Sequence, residues 1–329
     1  MGITMALDDE TIGRLAAFFD VGTFDKVIRR LDSGFQSDNY HIRTSQGDYV
    51  LRILHDNLKS VEYSMEVYAY LADHGIQTAK PVRTRQDTFC HPYEGKVIVI
   101  QSFIPGSYGD LSLVSTDPLL PFYGRELGRV HQVLLQMVQE LGEARLAGGL
   151  DDIAYVRKVG KQYLPDNVYI QQQYTRLEQE IPQLRRVRLT KGVIHGDVGP
   201  KDFFFKDGEY TGILDFNAAH LDYLLFDVAP MMMYCKLYAP DRQPQYVRFM
   251  TAYLETAPIQ KEELRWLHLV LRTRWLEQIV YHQYRYVEGI TQGLDSGDAE
   301  ENLEGVRDGE HMLKVTNIYP YDHFFTIIK

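Results

Sequence analysis

The segment at residues 195–215, HGDVGPKDFFFKDGEYTGILD, constrains the fold of this chain more than any other feature. It carries three carboxylates, Asp197, Asp202 and Asp215, around a short strand pair that reverses at a Lys-Asp-Gly turn. Folding that hairpin brings Asp202 and Asp215 to the same end of two paired strands, with Asp197 on the loop beside them. Carboxylates crowded into a low-dielectric cleft repel one another, so such a cluster usually holds a hard cation. The segment therefore predicts a Mg²⁺ and phosphate site.

Composition restricts the class of protein and its partners. A formal net charge of −10 argues against a nucleic-acid partner, which requires a basic face. Two cysteines, Cys90 and Cys235, without zinc or CxxC spacing indicate a reducing compartment. The chain shows no signal peptide and no apolar run long enough to span a bilayer. We therefore expect a cytoplasmic protein without a membrane partner.

The order of predicted elements indicates two lobes of different composition. Residues 1–104 combine β-type runs, among them strands predicted at 82–85 and 97–103, with a short amphipathic helix at 8–20 and a longer helix at about 60–74. The Pro-Gly-Ser-Tyr-Gly run at 105–109 has the composition of a hinge. Beyond it, residues 121–141 and several later stretches show the apolar spacing of helices. We therefore predict an α+β fold with a small β-rich lobe at 1–104 and a larger, mainly helical lobe at 105–329.

The same motif carries a resemblance to a known family. In chain order, it contains the His-Gly-Asp run at 195–197, a Gly-Pro turn, Asp202, and a strand pair that ends in the Leu-Asp-Phe run at 214–216. This pattern resembles the catalytic and metal loops of the aminoglycoside phosphotransferase and choline kinase group, which includes homoserine-kinase-type members. These are small-molecule kinases with a bilobal protein-kinase-like fold, and protein kinases have a related spacing. One departure is Asp202, where the family usually has Asn; Asp still offers oxygen to Mg²⁺ but adds a negative charge.

The resemblance implies that the first lobe binds nucleotide and the second holds the catalytic loop and the acceptor. The loop at 33–37 lies where the family has its phosphate loop. Gly34 and the small polar residues Ser33 and Ser37 let backbone N–H groups approach phosphate oxygens. Without the resemblance, the same run is typical of an ordinary hairpin turn.

Other nucleotide contacts are implied on the strands and on the helix of the first lobe. Arg52 stands where the family has Lys, less often Arg, to hold the α and β phosphates. Glu66 is the best match for the helix glutamate that orients this cation, and Glu62 is the alternative. Gln101 and Phe103 lie on the strand whose backbone would meet the adenine edge.

The catalytic roles follow the motif residue by residue. The resemblance implies that Asp197 accepts or orients the proton of the acceptor hydroxyl, and that Asp202 and Asp215 hold Mg²⁺. We expect His195 to brace the loop through its backbone. Lys201, the one cation of the loop, either neutralises the transferring phosphoryl group or is a solvated side chain.

The function implied is transfer of the γ-phosphoryl group of ATP to a hydroxyl of a small molecule. Aminoglycosides, homoserine, choline-like amino alcohols and methylthioribose-like sugars all remain open as acceptors. Glu277 and Glu288, on a predicted C-terminal helix, suit an amine-bearing acceptor, and a solvated helix face explains them equally well. Asp227 matches a family residue that anchors structure. The alternative is a catalytically weak, nucleotide-binding regulatory protein of the same fold, favoured by the departures at Arg52 and Asp202.

Overall fold

The computed structural model describes residues 7–31, 37–108, 118–142, 160–184, 186–291, 294 and 297–328. The chain divides into two compact units. The first combines Met1–Tyr108 with Asp202–Ala218, and the second combines Gly109–Lys201 with Ala219–Lys329. The strand pair that follows the His-Gly-Asp motif thus groups with the N-terminal unit. The division of roles between 1–104 and 105–329 stays a prediction.

The first unit is built on a five-stranded antiparallel sheet with the strand order β1-β2-β3-β5-β4. The strands are β1 (Phe24–Leu31), β2 (Ser37–Thr44), β3 (Gly47–Leu54), β4 (His91–Tyr93) and β5 (Lys96–Ser102). Two helices, α1 (Asp9–Ala16) and α2 (Leu58–Asp73), complete it. Each helix begins where a side chain, Asp8 or Asn57, accepts a hydrogen bond from a first-turn N–H group.

The two faces of this sheet differ in polarity, because alternate residues of a strand point to opposite sides. On one face Tyr40, Leu51 and Ile100 are aligned in register, and they are buried against Ile12 and Leu15 of α1. Burial of large apolar side chains of this kind contributes about 1.5–3 kcal/mol each. Helix α1 therefore covers the apolar face, and the polar residues of the sheet lie on the opposite face.

A second sheet of the first unit joins the hinge segment to the acidic hairpin, the name used below for residues 202–215. Its strands, in the order β6-β8-β9, are β6 (Ser107–Tyr108), β8 (Phe203–Lys206) and β9 (Glu209–Ile213). Asp207 and Gly208 form the two-residue turn with φ of 52° and 82°, the left-handed geometry that Asp-Gly favours in tight hairpins. A Cβ on Gly106 would lie 2.4 Å from the Phe205 carbonyl oxygen, so only glycine fits where the hinge segment crosses β8.

The second unit is mainly helical. Its helices are α3 (Leu120–Leu141), α4 (Val168–Leu184), α5 (Leu225–Tyr234), α6 (Gln243–Leu254), α7 (Leu267–Val287), α8 (Glu301–Asn317) and α9 (His323–Thr326). A two-stranded antiparallel sheet joins β7 (Lys191–Ile194) to β10 (His220–Tyr223). On α3, the regularly spaced apolar residues Leu127, Val130 and Leu134 are fully buried. Helices α3 and α6 pack closely where a Cβ on Gly124 would meet the Phe249 carbonyl oxygen at 2.4 Å.

The predicted α+β composition, with a β-rich N-terminal part and a mainly helical C-terminal part, is confirmed. A predicted strand at 82–85 is wrong. That stretch and its neighbours make only isolated bridges, Phe19 with Thr84 and Pro81 with Gln101. Pro81 has no N–H group to extend a ladder. Over the part of the chain that the structure describes, no helix is long and apolar enough to cross a membrane, and the cytoplasmic location stays a prediction.

Candidate active site

The HGD loop, residues 195–201, follows β7 directly, and Asp227 fixes its backbone. This aspartate lies in the first turn of α5 and is fully buried. Its carboxylate accepts the backbone N–H groups of His195 at 2.6 Å and Gly196 at 2.8 Å. Asp227 therefore anchors structure in a specific way, because it fixes the backbone of His195 and Gly196, the two residues that precede Asp197.

A buried histidine supports this anchor. Nε2 of His131, on α3, lies 3.0 Å from the Asp227 carboxylate, and its Nδ1 lies 2.8 Å from the Tyr253 hydroxyl of α6. Since a carboxylate only accepts, Nε2 carries the hydrogen in this contact. Burial by itself would raise the pKa of Asp227, but the hydrogen bond and charge of His131 and the backbone N–H of His195 hold that pKa below its usual value. Asp227 is therefore an ionised acceptor at neutral pH.

Asp197 is held by two side chains of the second unit. Lys201 Nζ donates to its Oδ2 at 2.8 Å, and the Tyr234 hydroxyl donates to its Oδ1 at 3.2 Å. Lys201 also donates to the Tyr234 hydroxyl oxygen at 2.9 Å. Lys201 is therefore not a side chain directed only to solvent, which was one of the two alternatives left open for it. Sequence reasoning missed Tyr234, although it lies two helical turns after Asp227, on the same side of α5.

An arginine of α7 also contacts this loop. Arg274 Nη2 donates to the Gly196 carbonyl oxygen, and its Nη1 donates to Glu277 at 2.8 Å. Burial would lower the pKa of Arg274, but Glu277 and Asp197 nearby raise it overall, so the guanidinium is charged. Glu277, predicted as a possible amine-binding residue, is thus linked to the HGD loop through Arg274.

The acidic hairpin brings the backbone of Asp202 close to the segment that ends in Asp215, as its strand pairing predicts. The Leu214 N–H donates to the Asp202 carbonyl oxygen at 2.9 Å. Asp202 is 2% exposed. Asp215 has a left-handed φ of 71°, and its Oδ1 accepts from Asn217 Nδ2 at 2.6 Å. Its backbone N–H donates to the hydroxyl of Tyr68, a buried residue of α2, at 2.7 Å.

The acidic hairpin fits a magnesium ion better than a metal held entirely by protein side chains. Among the described residues, no group of three or more His, Cys, Asp or Glu side chains is disposed to hold a metal ion. Mg²⁺ is typically held by one or two carboxylates, with waters and substrate phosphates completing its shell. The hairpin residues Asp202 and Asp215 match that number of carboxylates.

The polar face of the five-stranded sheet carries the residues predicted to bind nucleotide. Arg52 donates through Nε to Asn39 at 3.3 Å and through Nη1 to Gln101 at 3.1 Å. Gln101 in turn donates to the Ala79 carbonyl oxygen at 3.0 Å. The structure therefore brings Arg52 and Gln101 together and adds Asn39, which aligns with Arg52 across β2 and β3.

The predicted pairing of Arg52 with a helix glutamate is not formed. Within the described ranges no ion pair joins Arg52 to Glu66 or Glu62. Both glutamates instead contribute to the raised pKa of Cys90, which burial and then their charges bring to about 12.

The remaining predicted residues lie at the rim of the same polar face. Phe103 stacks on His41 with ring centroids 3.8 Å apart and planes 5° from parallel. Ser37 is the buried first residue of β2. Ser33 and Gly34 lie outside the described residues. An arginine, two amides and a stacked aromatic pair on one face suit phosphate and planar-ring recognition.

Comparison with known proteins identifies the family. Residues 27–267 match the model of the phosphotransferase enzyme family, so the chain belongs to that family. A homoserine kinase of Gluconobacter oxydans is 25% identical over 238 residues, covering 70% of this chain and 72% of that protein. The predicted family resemblance and reaction class, transfer of a phosphoryl group to an alcohol group of a small molecule, are confirmed.

Solved structures share the fold over nearly the whole chain. The amicoumacin kinase hAmiN, in complex with AMP-PNP, Ca²⁺ and Ami, aligns with a TM-score of 0.73 at 17% identity, covering 97% of each chain. A microcompartment-associated aminopropanol kinase aligns with a TM-score of 0.69 at 13% identity, covering 94% of this chain and 99% of the other. The predicted kinase-like fold is therefore confirmed.

Proposed function

We propose that this protein transfers the γ-phosphoryl group of ATP, with Mg²⁺, to the hydroxyl of a small amino alcohol of the homoserine or aminopropanol type. The observation that carries the proposal is the HGD loop. Its backbone is fixed by a fully buried aspartate, and its Asp197 carboxylate is held by Lys201 and Tyr234. Phosphoryl transfer is catalysed mainly by positioning and charge stabilisation, and this is the kind of feature that such a reaction requires.

Asp197 is proposed to orient the acceptor hydroxyl. Its side chain is 52% exposed, so an acceptor reaches it from solvent. A carboxylate has about four lone-pair sites, and Lys201 and Tyr234 use two of them. An acceptor hydroxyl can therefore donate to Asp197 without displacing either partner. The Lys201 ammonium, held on the same carboxylate, would offset negative charge on the transferring group.

Asp202 and Asp215 are proposed to hold Mg²⁺. A Mg²⁺ ion held by these two carboxylates would supply positive charge to offset the negative charge on the phosphate groups. The left-handed backbone of Asp215, held by the Tyr68 hydroxyl, fixes the direction in which this carboxylate leaves the chain. The Asn that the family usually has in place of Asp202 also offers an oxygen, so the substitution changes charge more than ligand number.

Arg52 is proposed to hold the phosphates of ATP. A guanidinium has five N–H donors, and Asn39 and Gln101 accept from Nε and Nη1. Donors on Nη2 are left for a ligand, and Arg binds phosphate in a two-pronged geometry that Lys lacks. Ser33, Gly34 and Ser37 are proposed to contribute phosphate contacts, and Phe103 an aromatic wall; Glu66 would act only after a rearrangement of α2 or of Arg52.

An amino group on the acceptor is favoured by one carboxylate. Glu277 is about one-fifth exposed and is linked through Arg274 to the loop that carries Asp197. Homoserine and aminopropanol, named for two similar proteins, share a hydroxyl and an amino group. An ammonium group near Glu277 fits that shared chemistry.

The test is ATP-dependent ADP release with a panel of acceptors: L-homoserine, 3-amino-1-propanol, choline and kanamycin. We expect turnover with at least one of the first two, and an Asp197→Asn variant that is folded but slower by at least about 100-fold, in the range of losses for a positioned acid–base group. Asp241→Asn, at an exposed aspartate, should be unaffected. ATP binding without turnover of any acceptor would instead favour the regulatory alternative, and full activity in Asp197→Asn would refute the assigned role.

A further inference from the structure

Helix α5 contacts the HGD loop at both of its ends. Asp227, in its first turn, accepts the backbone N–H groups of His195 and Gly196. Tyr234 is its last residue, and its hydroxyl reaches Asp197. One helix therefore contacts both the backbone of the loop, at His195 and Gly196, and the side chains of Asp197 and Lys201.

The Tyr234 hydroxyl closes a ring of three hydrogen bonds. It accepts from Lys201 Nζ at 2.9 Å and donates to Asp197 at 3.2 Å, while Lys201 donates to Asp197 at 2.8 Å. The directions are fixed, because an ammonium has only donors and a carboxylate only acceptors. The Lys201 ammonium also lies 4.8 Å from the centre of the Tyr234 ring, within cation–π distance.

The loop passes directly over this ring. A Cβ on Gly199 would lie 2.5 Å from ring atom Cδ2 of Tyr234, closer than real Cβ atoms approach. Because Gly199 has no side chain, the Tyr234 ring can occupy this space. Packing against Gly199 fixes the position of the Tyr234 ring, and the ring in turn fixes the position of the hydroxyl.

We propose that Tyr234 is a positioning residue that holds the Lys201 ammonium beside Asp197, so that the transferring phosphoryl group meets a cation already in place. This inference rests on the proposed function. Lysine has a flexible four-carbon stem, and holding its charge in one position lowers the orientational cost of each turnover. Tyr234 itself acts through Lys201 and Asp197.

The hydroxyl contributes little to folding, which makes the inference testable. Tyr234 is 40% exposed, and Asp227 anchors α5 to the loop independently of it. Tyr234→Phe keeps the ring, its packing on Gly199 and the cation–π contact, and removes only the hydroxyl. We expect kcat to fall about 10-fold, in line with the loss of hydrogen bonds to charged groups at a partly exposed site. The acceptor KM should stay within about 2-fold.

Two comparisons separate positioning of Lys201 from other roles. ATP hydrolysis without acceptor should fall by the same factor in Tyr234→Phe, because the cation acts on the phosphoryl group. Tyr234→Phe combined with Lys201→Met should be no slower than Lys201→Met alone, since the hydroxyl works through that lysine. Tyr284→Phe, at an exposed tyrosine of α7, is the matched control and should behave as wild type.

A readout independent of turnover is the rate at which an amine-acylating reagent labels Lys201, followed by mass spectrometry. Labelling should be several-fold faster in Tyr234→Phe and unchanged in Tyr284→Phe. An unchanged kcat with unchanged labelling would overturn the inference while leaving the proposed function intact. A raised acceptor KM with normal hydrolysis would also overturn it, by assigning Tyr234 to the acceptor. An inactive wild type would defeat the proposed function, and the labelling rates would still decide whether Tyr234 holds Lys201.

Discussion

Asp215 shows how a single buried hydroxyl sets the geometry of a candidate metal ligand. Its φ of 71° lies in the left-handed region, which is uncommon for residues other than glycine and is tolerated best by Asn and Asp. The Tyr68 hydroxyl accepts the N–H groups of Asp215 at 2.7 Å and Phe216 at 3.3 Å, and its ring meets the Phe216 ring edge-on. A backbone conformation of this type persists where its surroundings fix it, and Tyr68 supplies that support.

Removing this hydroxyl should affect both stability and magnesium use. In Tyr68→Phe two backbone N–H groups lose their acceptor, so we expect a loss of about 1–3 kcal/mol of unfolding free energy. The Mg²⁺ concentration for half-maximal activity should also rise, because Asp215 is less firmly held. Urea unfolding and a magnesium titration measure the two effects.

Tyr63, on the same helix, provides the matched control. Its hydroxyl oxygen is buried and finds no hydrogen-bond partner among the described residues, so Tyr63→Phe should be neutral or slightly stabilising. If Tyr68→Phe and Tyr63→Phe were indistinguishable in both assays, Tyr68 would have no special role at Asp215.

At the scale of elements, α7 buries charge as well as apolar surface. Arg272 is fully buried and donates to Glu180 of α4 at 2.5 Å. His268, one turn earlier, is also buried, and its Nε2 lies 3.0 Å from the Thr316 carbonyl oxygen of α8. Burial, followed by the charge of Arg272, lowers the pKa of His268 to about 4. The histidine is therefore neutral in the folded protein across the physiological range.

This histidine should make the protein sensitive to mild acid. Its folded pKa of about 4 lies below the value of 6.5 for an unperturbed histidine, so between those limits the unfolded chain binds more protons than the folded one. The contribution of neutral His268 to the unfolding free energy is therefore fully present above pH 6.5, and it is lost as the pH falls from 6.5 towards 4. The loss from this residue is at most about 3 kcal/mol, because a tenfold change in proton affinity corresponds to roughly 1.4 kcal/mol.

The measurement is urea unfolding at pH 7.0 and pH 4.5. In His268→Gln, which retains a donor for Thr316, the difference in stability between the two pH values should shrink by about 2–3 kcal/mol. His311→Gln, at an exposed histidine of α8, should keep the wild-type difference. An equal pH dependence in wild type and His268→Gln would assign the acid sensitivity to other groups.

Elements whose signals are local were predictable from the sequence. The Asp-Gly turn at 207–208 and the helix over 225–234 needed only turn chemistry and apolar spacing. Contacts between strands that are distant in the sequence were not predictable in this way. Arg52 bonds Gln101, 49 residues away, because of the register between β3 and β5, whereas the family resemblance pointed to Glu66.

The side chains that hold the candidate site were hidden for the same reason. Tyr68 meets Asp215 across 147 residues, and Tyr234 meets Asp197 across 37. Tyr68 has no distinctive neighbourhood in the sequence, and the one local signal for Tyr234 is its spacing of two helical turns from Asp227. Motifs predicted the reacting groups, and only tertiary packing shows which side chains fix them.

At the scale of the whole molecule, the chain passes between the two compact units at three points, after Tyr108, Lys201 and Ala218. The crossing after Lys201 falls inside the predicted motif. Lys201 belongs to the unit with Asp197, and Asp202 belongs to the unit with Asp215 and Arg52. The groups assigned to the acceptor and those assigned to metal and nucleotide are therefore carried by different units, and the peptide bond between Lys201 and Asp202 is one of the three connections between them.

This division predicts that nucleotide binding can be measured separately from acceptor chemistry. ATP at about 100 times its Kd should stabilise the protein by about 2.7 kcal/mol, raising Tm by several degrees. Mg²⁺ should add to that stabilisation in wild type and in Asp197→Asn alike, because Asp197 is not assigned to the metal. Thermal unfolding with ATP, in the presence of Mg²⁺ or EDTA, measures both parts.

The acidic hairpin supplies the variants that test the metal assignment in the same assay. Asp215→Asn should lose most of the Mg²⁺-dependent part and keep the part seen in EDTA, which Arg52 supports. Asp202→Asn should keep the Mg²⁺-dependent part but reach it at a several-fold higher Mg²⁺ concentration, because an amide oxygen still coordinates while one negative charge is gone. Asp207→Asn, at the exposed turn of the same hairpin, is tolerated in its left-handed conformation and should match wild type. A Mg²⁺ effect that survives in Asp215→Asn would move the metal away from this hairpin, and with it the charge stabilisation on which the proposed reaction depends.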